Sequence, residues 1–393
     1  MSSVLERIIR ASSVEDHHFD AEYPIVLDAN DSLSKLYPKF DNTEHSVLAT
    51  PLLGWDFSGN DVEQIDLAKK FVVKLNRMLK DTKGFGRVEF LEMLTRFLES
   101  FVEKFGIYVG DYQPNEAVSV LLPMVAPAAG RDVVGLILKT CLDLEIWDLT
   151  ESMILSGIVD HSHYPMLVKK SVSKQEARLI CLAVKHATDF FHKDLLLIVK
   201  CFLCPTKEAS SSMLTVSKRW ESEALLAMEA TKNANLQSKK AIVAKDASIL
   251  LMVAYDGFSK SEMCLHFLVS SPNVDDVVLS SCLGRLNMKE IMKLVKYLGK
   301  WLKKYEKFPQ AVPCESANSM LGLTLCDCAP KLEDVVRWLA LVFDQCFTSI
   351  VLNSDFHEEI KGLKSVLDSM AFEAKDCCFV SNAIQRLRST KAS

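Results

Sequence analysis

Glycine and proline are sparse, at 14 and 12 of 393 residues, which excludes a collagen-like or low-complexity polymer. Charge of one sign is also scarce: 46 Lys and Arg oppose 51 Asp and Glu for a net −5, so the total carries no argument for sequence-independent nucleic-acid binding. No stretch reaches about 18 uninterrupted apolar residues, the length a membrane span needs. The nearest, Ala117–Ala129, contains Pro123 and Pro127, and Leu195–Leu203 is cut by Lys200. The opening MSSVLERIIRASSVEDHH lacks an apolar core followed by a cleavage site, so it does not read as a secretory signal. The 12 cysteines are therefore expected in a reducing compartment, mostly as small buried apolar residues in runs such as LILKTCLDL and ARLICLAVKHA.

What is present is apolar residue at helical spacing. Residues 1–60 hold four Lys or Arg against ten Asp or Glu, a charge of −6 that leaves +1 for residues 61–393, and form an acidic, mostly irregular head whose only strand-like stretch is Tyr23–Asp28. From Asn60 the pattern changes. Asn60 and Glu63 have capping-box spacing, and Ile65, Leu67, Phe71, Val72, Leu75 and Leu79 follow three or four apart. Ser173 with Glu176, Ser259 with Glu262, and Asn287 with Glu290 repeat that spacing, and Gly284 sits where a helix would need a left-handed cap. About fourteen to sixteen helices are predicted, with hairpin-turn and period-two signals nearly absent. The predicted class is all-α: irregular stacked helical hairpins, solenoid-like, without a fixed-length repeat. The blocks are 61–205 and 247–393, separated by a polar insertion at 206–246 that carries a helix around Trp220–Ala230.

Chemistry-bearing motifs are few. A Walker phosphate loop, GxGxxG, GxSxG and HExxH are all absent, so no catalytic residue, cofactor or small-molecule substrate is implied and no enzyme is predicted. Lys83–Arg87 has two glycines and flanking cations, but it fits a turn between helices better than a phosphate cradle. Cys201 and Cys204 have zinc-knuckle spacing without a second pair, Cys326 with Cys328 and Cys377 with Cys378 fit a shared site less well, and His161 and His163 fit a turn. No metal site is predicted.

One helix stands apart. In KEIMKLVKYLGKWLKKYEK, Lys289, Lys293, Lys296, Lys300, Lys303, Lys304 and Lys307 fall within an arc of roughly 100°, opposite Ile291, Leu294, Val295, Leu298, Trp301 and Leu302. A solvated face explains this stripe, and so does an anionic partner, either RNA phosphate or an acidic protein surface. Only Glu290 and Glu306 are near enough in sequence to offset the lysines. Reversing Lys293, Lys296, Lys300 and Lys303 is expected to leave folding intact.

Three blocks together resemble the C-terminal helical region of the nucleolar protein eleven family, a subunit of the transcription-associated subcomplex of the small-subunit processome. The first runs from Leu144-Glu145-Ile146-Trp147-Asp148 to about residue 205. The second spans Ala247–Tyr305 and contains Lys296-Tyr297-Leu298. The third is the Arg337–Thr348 stretch, similar to a W-x-x-L-L-L-D-x-x-F-T signature at Trp338, Asp344, Phe347 and Thr348, followed by a long helix from near Phe356. The family places a β-propeller ahead of this region, and the strand pattern for one is absent here. The resemblance implies a non-enzymatic scaffold in the nucleus and nucleolus that contacts other processome subunits, and supports pre-rRNA transcription and early 18S rRNA processing in ribosome biogenesis. From the lack of a long apolar run, no membrane partner is predicted. Trp338, Leu341, Phe347, Ile350 and Leu363 are candidates for a packed protein interface, and each also fits an internal core. The alternative is a helical-repeat adaptor that binds a protein partner in the cytoplasm.

Overall fold

The computed structural model describes residues 59–80, 85–105, 117–233 and 239–391. The acidic head and its strand-like stretch lie outside the described residues, save Gly59 and Asn60, which begin the first helix.

The described chain is all-α, sixteen helices packed against one another with no strand among the described residues. The first five are α1 (Gly59–Lys80), α2 (Arg87–Phe105), α3 (Ala117–Ala129), α4 (Arg131–Asp143) and α5 (Trp147–Leu155). A 3-10 turn, His161–His163, leads to α6 (Tyr164–Ser173), α7 (Ala177–His186), α8 (His192–Leu203) and α9 (Lys207–Asn233). Next come α10 (Lys239–Tyr255), α11 (Lys260–Val269), α12 (Asp276–Leu283), α13 (Met288–Lys307) and α14 (Ser316–Leu321). A second 3-10 turn precedes α15 (Leu332–Leu352), and a third precedes α16 (His357–Lys391). Helices stack irregularly, some on the next in sequence and others on later ones: α2 on α3, α5 and α6 on α7, α8 on α12 and α13, α13 on α15 and α16.

Helix starts follow local chemistry in some places and not in others. The side chains of Ser259 and Asn287 accept the N–H groups of Glu262 and Glu290, whose carboxylates reach back to the capping residues' own N–H groups, so both boxes form. The Ser173 box does not. Ser173 is the last residue of α6, its hydroxyl bonds back to the Lys170 carbonyl, and the chain then turns through Gln175 at φ 59°. The Ala177 N–H donates instead to the Ser212 hydroxyl oxygen of α9, at 2.8 Å. Gly284 is not left-handed either. At φ −62° and ψ −10° it simply ends α12 in a right-handed turn, which any residue could adopt.

The described part of the insertion, residues 206–233 and 239–246, is continuous with the core rather than a break in it. Ala209, Met213, Val216, Trp220, Ala224 and Ala227 form a buried stripe along α9, which pairs extensively with α10 across Ala244, Ala247 and Leu251. Glu223 fastens α9 to the turn before α15, accepting the Leu325 N–H at 2.8 Å and the Thr324 hydroxyl at 2.9 Å. That stripe is narrow and rich in alanine, so the Ser and Lys around it mask it in sequence. The α15 helix is long and apolar enough by composition to cross a membrane. It carries Glu333, Asp334, Arg337 and Asp344, and buries one face, Val335, Trp338, Leu339, Val342, Cys346 and Ile350, against its neighbours.

Close approach explains one mid-helix glycine. A Cβ on Gly299 would lie 2.8 Å from Cδ2 of Leu363, so its absence lets α16 seat on α13. The cost is about 1 kcal/mol of helix propensity relative to alanine.

Candidate functional site

The α13 helix forms because its Asn287 cap is followed by apolar residues at helical spacing. Ile291, Leu294, Val295, Tyr297, Leu298, Trp301, Leu302 and Tyr305 are all buried. Packing against α8, α15 and α16 fixes the rotation of the helix and hence the direction of every lysine.

The seven lysines do not form one uniform surface. Lys293 donates to the Leu203 carbonyl at 3.0 Å and to Sγ of Cys204 at 3.4 Å, where it caps the C-terminus of α8. Lys300 donates to both Glu262 oxygens, at 2.8 and 2.9 Å. Lys304 pairs with Asp256 at 3.3 Å and sits 5.4 Å from the Phe258 ring centroid, in cation–π range. These three lie on one edge of the stripe. Lys289, Lys296, Lys303 and Lys307 lie on the other, within an arc of roughly 40°. Lys289, Lys296 and Lys303 are exposed and have no hydrogen-bond or ion-pair partner among the described residues, and Lys307 is exposed over the Phe308 ring at 5.3 Å. The unpaired edge runs about 27 Å along the helix. Lys293 and Lys300, expected to be reversible with folding intact, are both bound to other helices of the same chain, so their reversal removes those contacts. Asp256 and Glu262, which neutralise the inner edge, come from the turn between α10 and α11 and from α11, too far away in sequence to be paired with it by inspection.

Beneath the paired edge lies an aromatic cluster of Trp220, Phe258, Tyr297, Trp301 and Tyr305 around His266. His266 is fully buried. Its Nε2–H donates to the Ala254 carbonyl at 3.0 Å and its Nδ1 accepts from the Tyr297 hydroxyl at 2.8 Å, while Trp301 Nε1–H donates to that same hydroxyl oxygen at 3.1 Å. Burial pushes the imidazole down to about 3, so it is neutral near pH 7. With both ring nitrogens engaged, His266 orders the interior and does not face a substrate. Burial likewise raises the Tyr297 phenol.

The apolar candidates separate in the same way. Trp338, Ile350 and Leu363 are core, Leu363 against Gly299. Leu341 is half-buried. Only Phe347, 63% exposed, can meet a partner, and Val351 and Leu352 extend that surface. Every side chain from Ala371 to Asn382 of α16 is exposed, including Phe372 and Phe379. Sequence reasoning missed these, because a helix that leaves the body keeps the composition of one that packs on it.

The buried thiols read as packing groups, whereas Cys377 and Cys378 are exposed on α16. Cys141, Cys282 and Cys326 are pushed up to about 12, and Cys201 and Cys328 to about 11, in each case chiefly by burial. Cys204 is exposed at the end of α8. His161 and His163 belong to a 3-10 turn capped by Asp160, whose carboxylate accepts from the Ser162 N–H and hydroxyl. No group of three or more His, Cys, Asp or Glu among the described residues is arranged to hold a metal ion. A surface cavity of about 730 Å³ is a groove lined by Arg87, Glu92, Arg96, Glu99, Val118 and Asp148 among others, where charges of both signs alternate. No protein-family model, curated protein or solved structure matches the chain.

Proposed function

We propose that this chain is a non-enzymatic helical scaffold that holds an anionic macromolecular partner along the Lys289, Lys296, Lys303 and Lys307 edge of α13. The resemblance to the nucleolar protein eleven family supplies the setting: pre-ribosomal assembly in the nucleolus, with neighbouring processome subunits as partners and pre-rRNA in reach of the lysines. One observation carries this reading. Two lysines of the helix are ion-paired within the chain and Lys293 is hydrogen-bonded to the end of α8, whereas three others, in register at seven-residue intervals, have no partner among the described residues.

The test is reversal of Lys289, Lys296, Lys303 and Lys307 to Glu in the full-length chain expressed in cells. Helicity and thermal midpoint are expected to stay as in the parent, while co-purification of pre-ribosomal subunits falls. Ribonuclease treatment assigns the contact, since an RNA-bridged association disappears and a direct protein contact persists. Unchanged recovery after the reversal makes the edge a solvated face and removes the proposal. Lys300→Glu alone is expected to cost about 1 kcal/mol of stability, because it sets like charges together at a half-buried contact.

A second reading, a cytoplasmic adaptor, is favoured by the exposed Phe347, Val351, Leu352, Phe372 and Phe379. There Phe347→Glu with Phe372→Glu would abolish partner recovery and the lysine reversal would not.

A further inference from the structure

Burying a carboxylate without a partner is costly, by several kcal/mol for an ion removed from water. Asp194, in the first turn of α8, is only 4% exposed, and its Oδ1 makes no hydrogen bond. It lines a cavity of about 220 Å³ with Tyr164, Phe190, Phe191, Asp189 and His161. Tyr164 and Phe190 are 6% and 8% exposed and form a buried wall, whereas Phe191 is 68% exposed at the mouth. His161 is turned to Asp160, at 3.3 Å. Lys169, His192 and Lys193 bias Asp194 toward its anion from a distance, but none of them is within ion-pair range among the described residues, and burial leaves its carboxyl above the usual range.

Two carboxylates and three aromatic rings around a small space are the chemistry that recognises an organic cation: the rings offer negative faces and the carboxylate a counter-charge. The size fits a headgroup, since cavities for drug-sized ligands start at about 300 Å³. We propose that the Asp194 cavity is a binding site for an alkylammonium group, with Asp194 as the counter-ion, Tyr164 and Phe190 as its wall and Phe191 as a closing ring. This site is independent of the lysine edge. Two sources carry the same chemistry, the methylated side chain of a protein lysine and a small molecule with a choline-like headgroup.

Saturation-transfer NMR on the full chain distinguishes them with three probes: choline, Nα-acetyl-Nε-trimethyllysine methylamide, and the uncharged carbon isostere of choline. Both cations are expected to give saturable transfer, with the isostere weaker by about tenfold or more. The tighter cation identifies the source. Asp194→Asn is expected to weaken both cations by about tenfold while leaving the isostere unchanged. Phe191→Ala, at an exposed position that the fold tolerates, is expected to weaken the cations by about threefold, and decides the matter if the Asp194 variant does not fold. Equal transfer from cations and isostere, or cation binding that survives both substitutions, overturns the site and leaves Asp194 satisfied by a proton or water.

Discussion

His266 makes acid stability measurable at one residue. Its folded-state value near 3 lies below the value of 6.5 for a free imidazole, so between these limits the unfolded chain binds a proton that the folded chain refuses. Stability from this group is therefore complete above about pH 6.5 and is lost as pH falls toward 3. At pH 5 the loss is about 2 kcal/mol, from 1.5 pH units at about 1.4 kcal/mol each. The surroundings support that sign. Ala254 offers a carbonyl that needs the Nε2 proton, Tyr297 already donates to Nδ1, Trp220, Phe258 and Trp301 are uncharged, and the Lys304 ammonium adds repulsion. The assay is urea unfolding followed by tryptophan fluorescence at pH 7 and pH 5, for the parent and for His266→Gln, which keeps a donor for Ala254 and cannot become a cation. The parent should lose about 2 kcal/mol more than the variant over that interval, other titrations cancelling in the difference. Identical pH dependence in the two proteins would refute the reasoning.

Two further predictions concern packing and backbone. Gly299→Ala should destabilise by about 1 kcal/mol, as the 2.8 Å clash with Leu363 outweighs the gain in helix propensity. In a Leu363→Ala background the same change should instead stabilise, and an equal effect in both backgrounds would remove the contact from the explanation. Glu145 sits at φ 57° in the turn after α4 and pairs with Lys174, both partly exposed. Glu145→Gly should raise stability by about 0.5–1 kcal/mol, because relieving the left-handed strain exceeds a surface ion pair in worth. Glu145→Ala should not, and thermal midpoints of the three proteins give the order.

Legibility in the sequence followed the range of the forces involved. The all-α class and the boxes at Ser259 and Asn287 rest on contacts three or four residues apart, and those could be read directly. Ser173 has the same letters as Ser259, but the chain leaves α6 through Gln175 and the cap of α7 comes from Ser212, a tertiary partner. The two edges of the lysine stripe were not separable, because Asp256 and Glu262 reach Lys304 and Lys300 across 48 and 38 residues. Asp194 did carry a signal that went unread: one acid immediately before the LLLIV run of α8, three residues after a pair of phenylalanines. A carboxylate at the head of a run destined for the core either finds a counter-charge or is protonated.

The two edges of α13 answer to different physics, which is what makes the lysine proposal testable. Lys289, Lys296 and Lys303 are spaced by about 10.5 Å along the axis, longer than the Debye length of about 8 Å at physiological ionic strength. Their mutual repulsion is largely screened, so this edge needs no compensation for the chain to fold. The Lys300 ammonium touches Glu262 at 2.8 Å beside a buried aromatic cluster, where screening is weaker and the pair is worth about 1 kcal/mol of stability. Reversal of the outer edge therefore perturbs association without lowering stability, and reversal of the inner edge lowers stability as well. A loss of partner recovery that follows the outer edge alone, and that weakens in the parent as salt is raised, is an electrostatic contact. A loss that appears only with the inner edge is a folding defect, and no partner need be invoked for it.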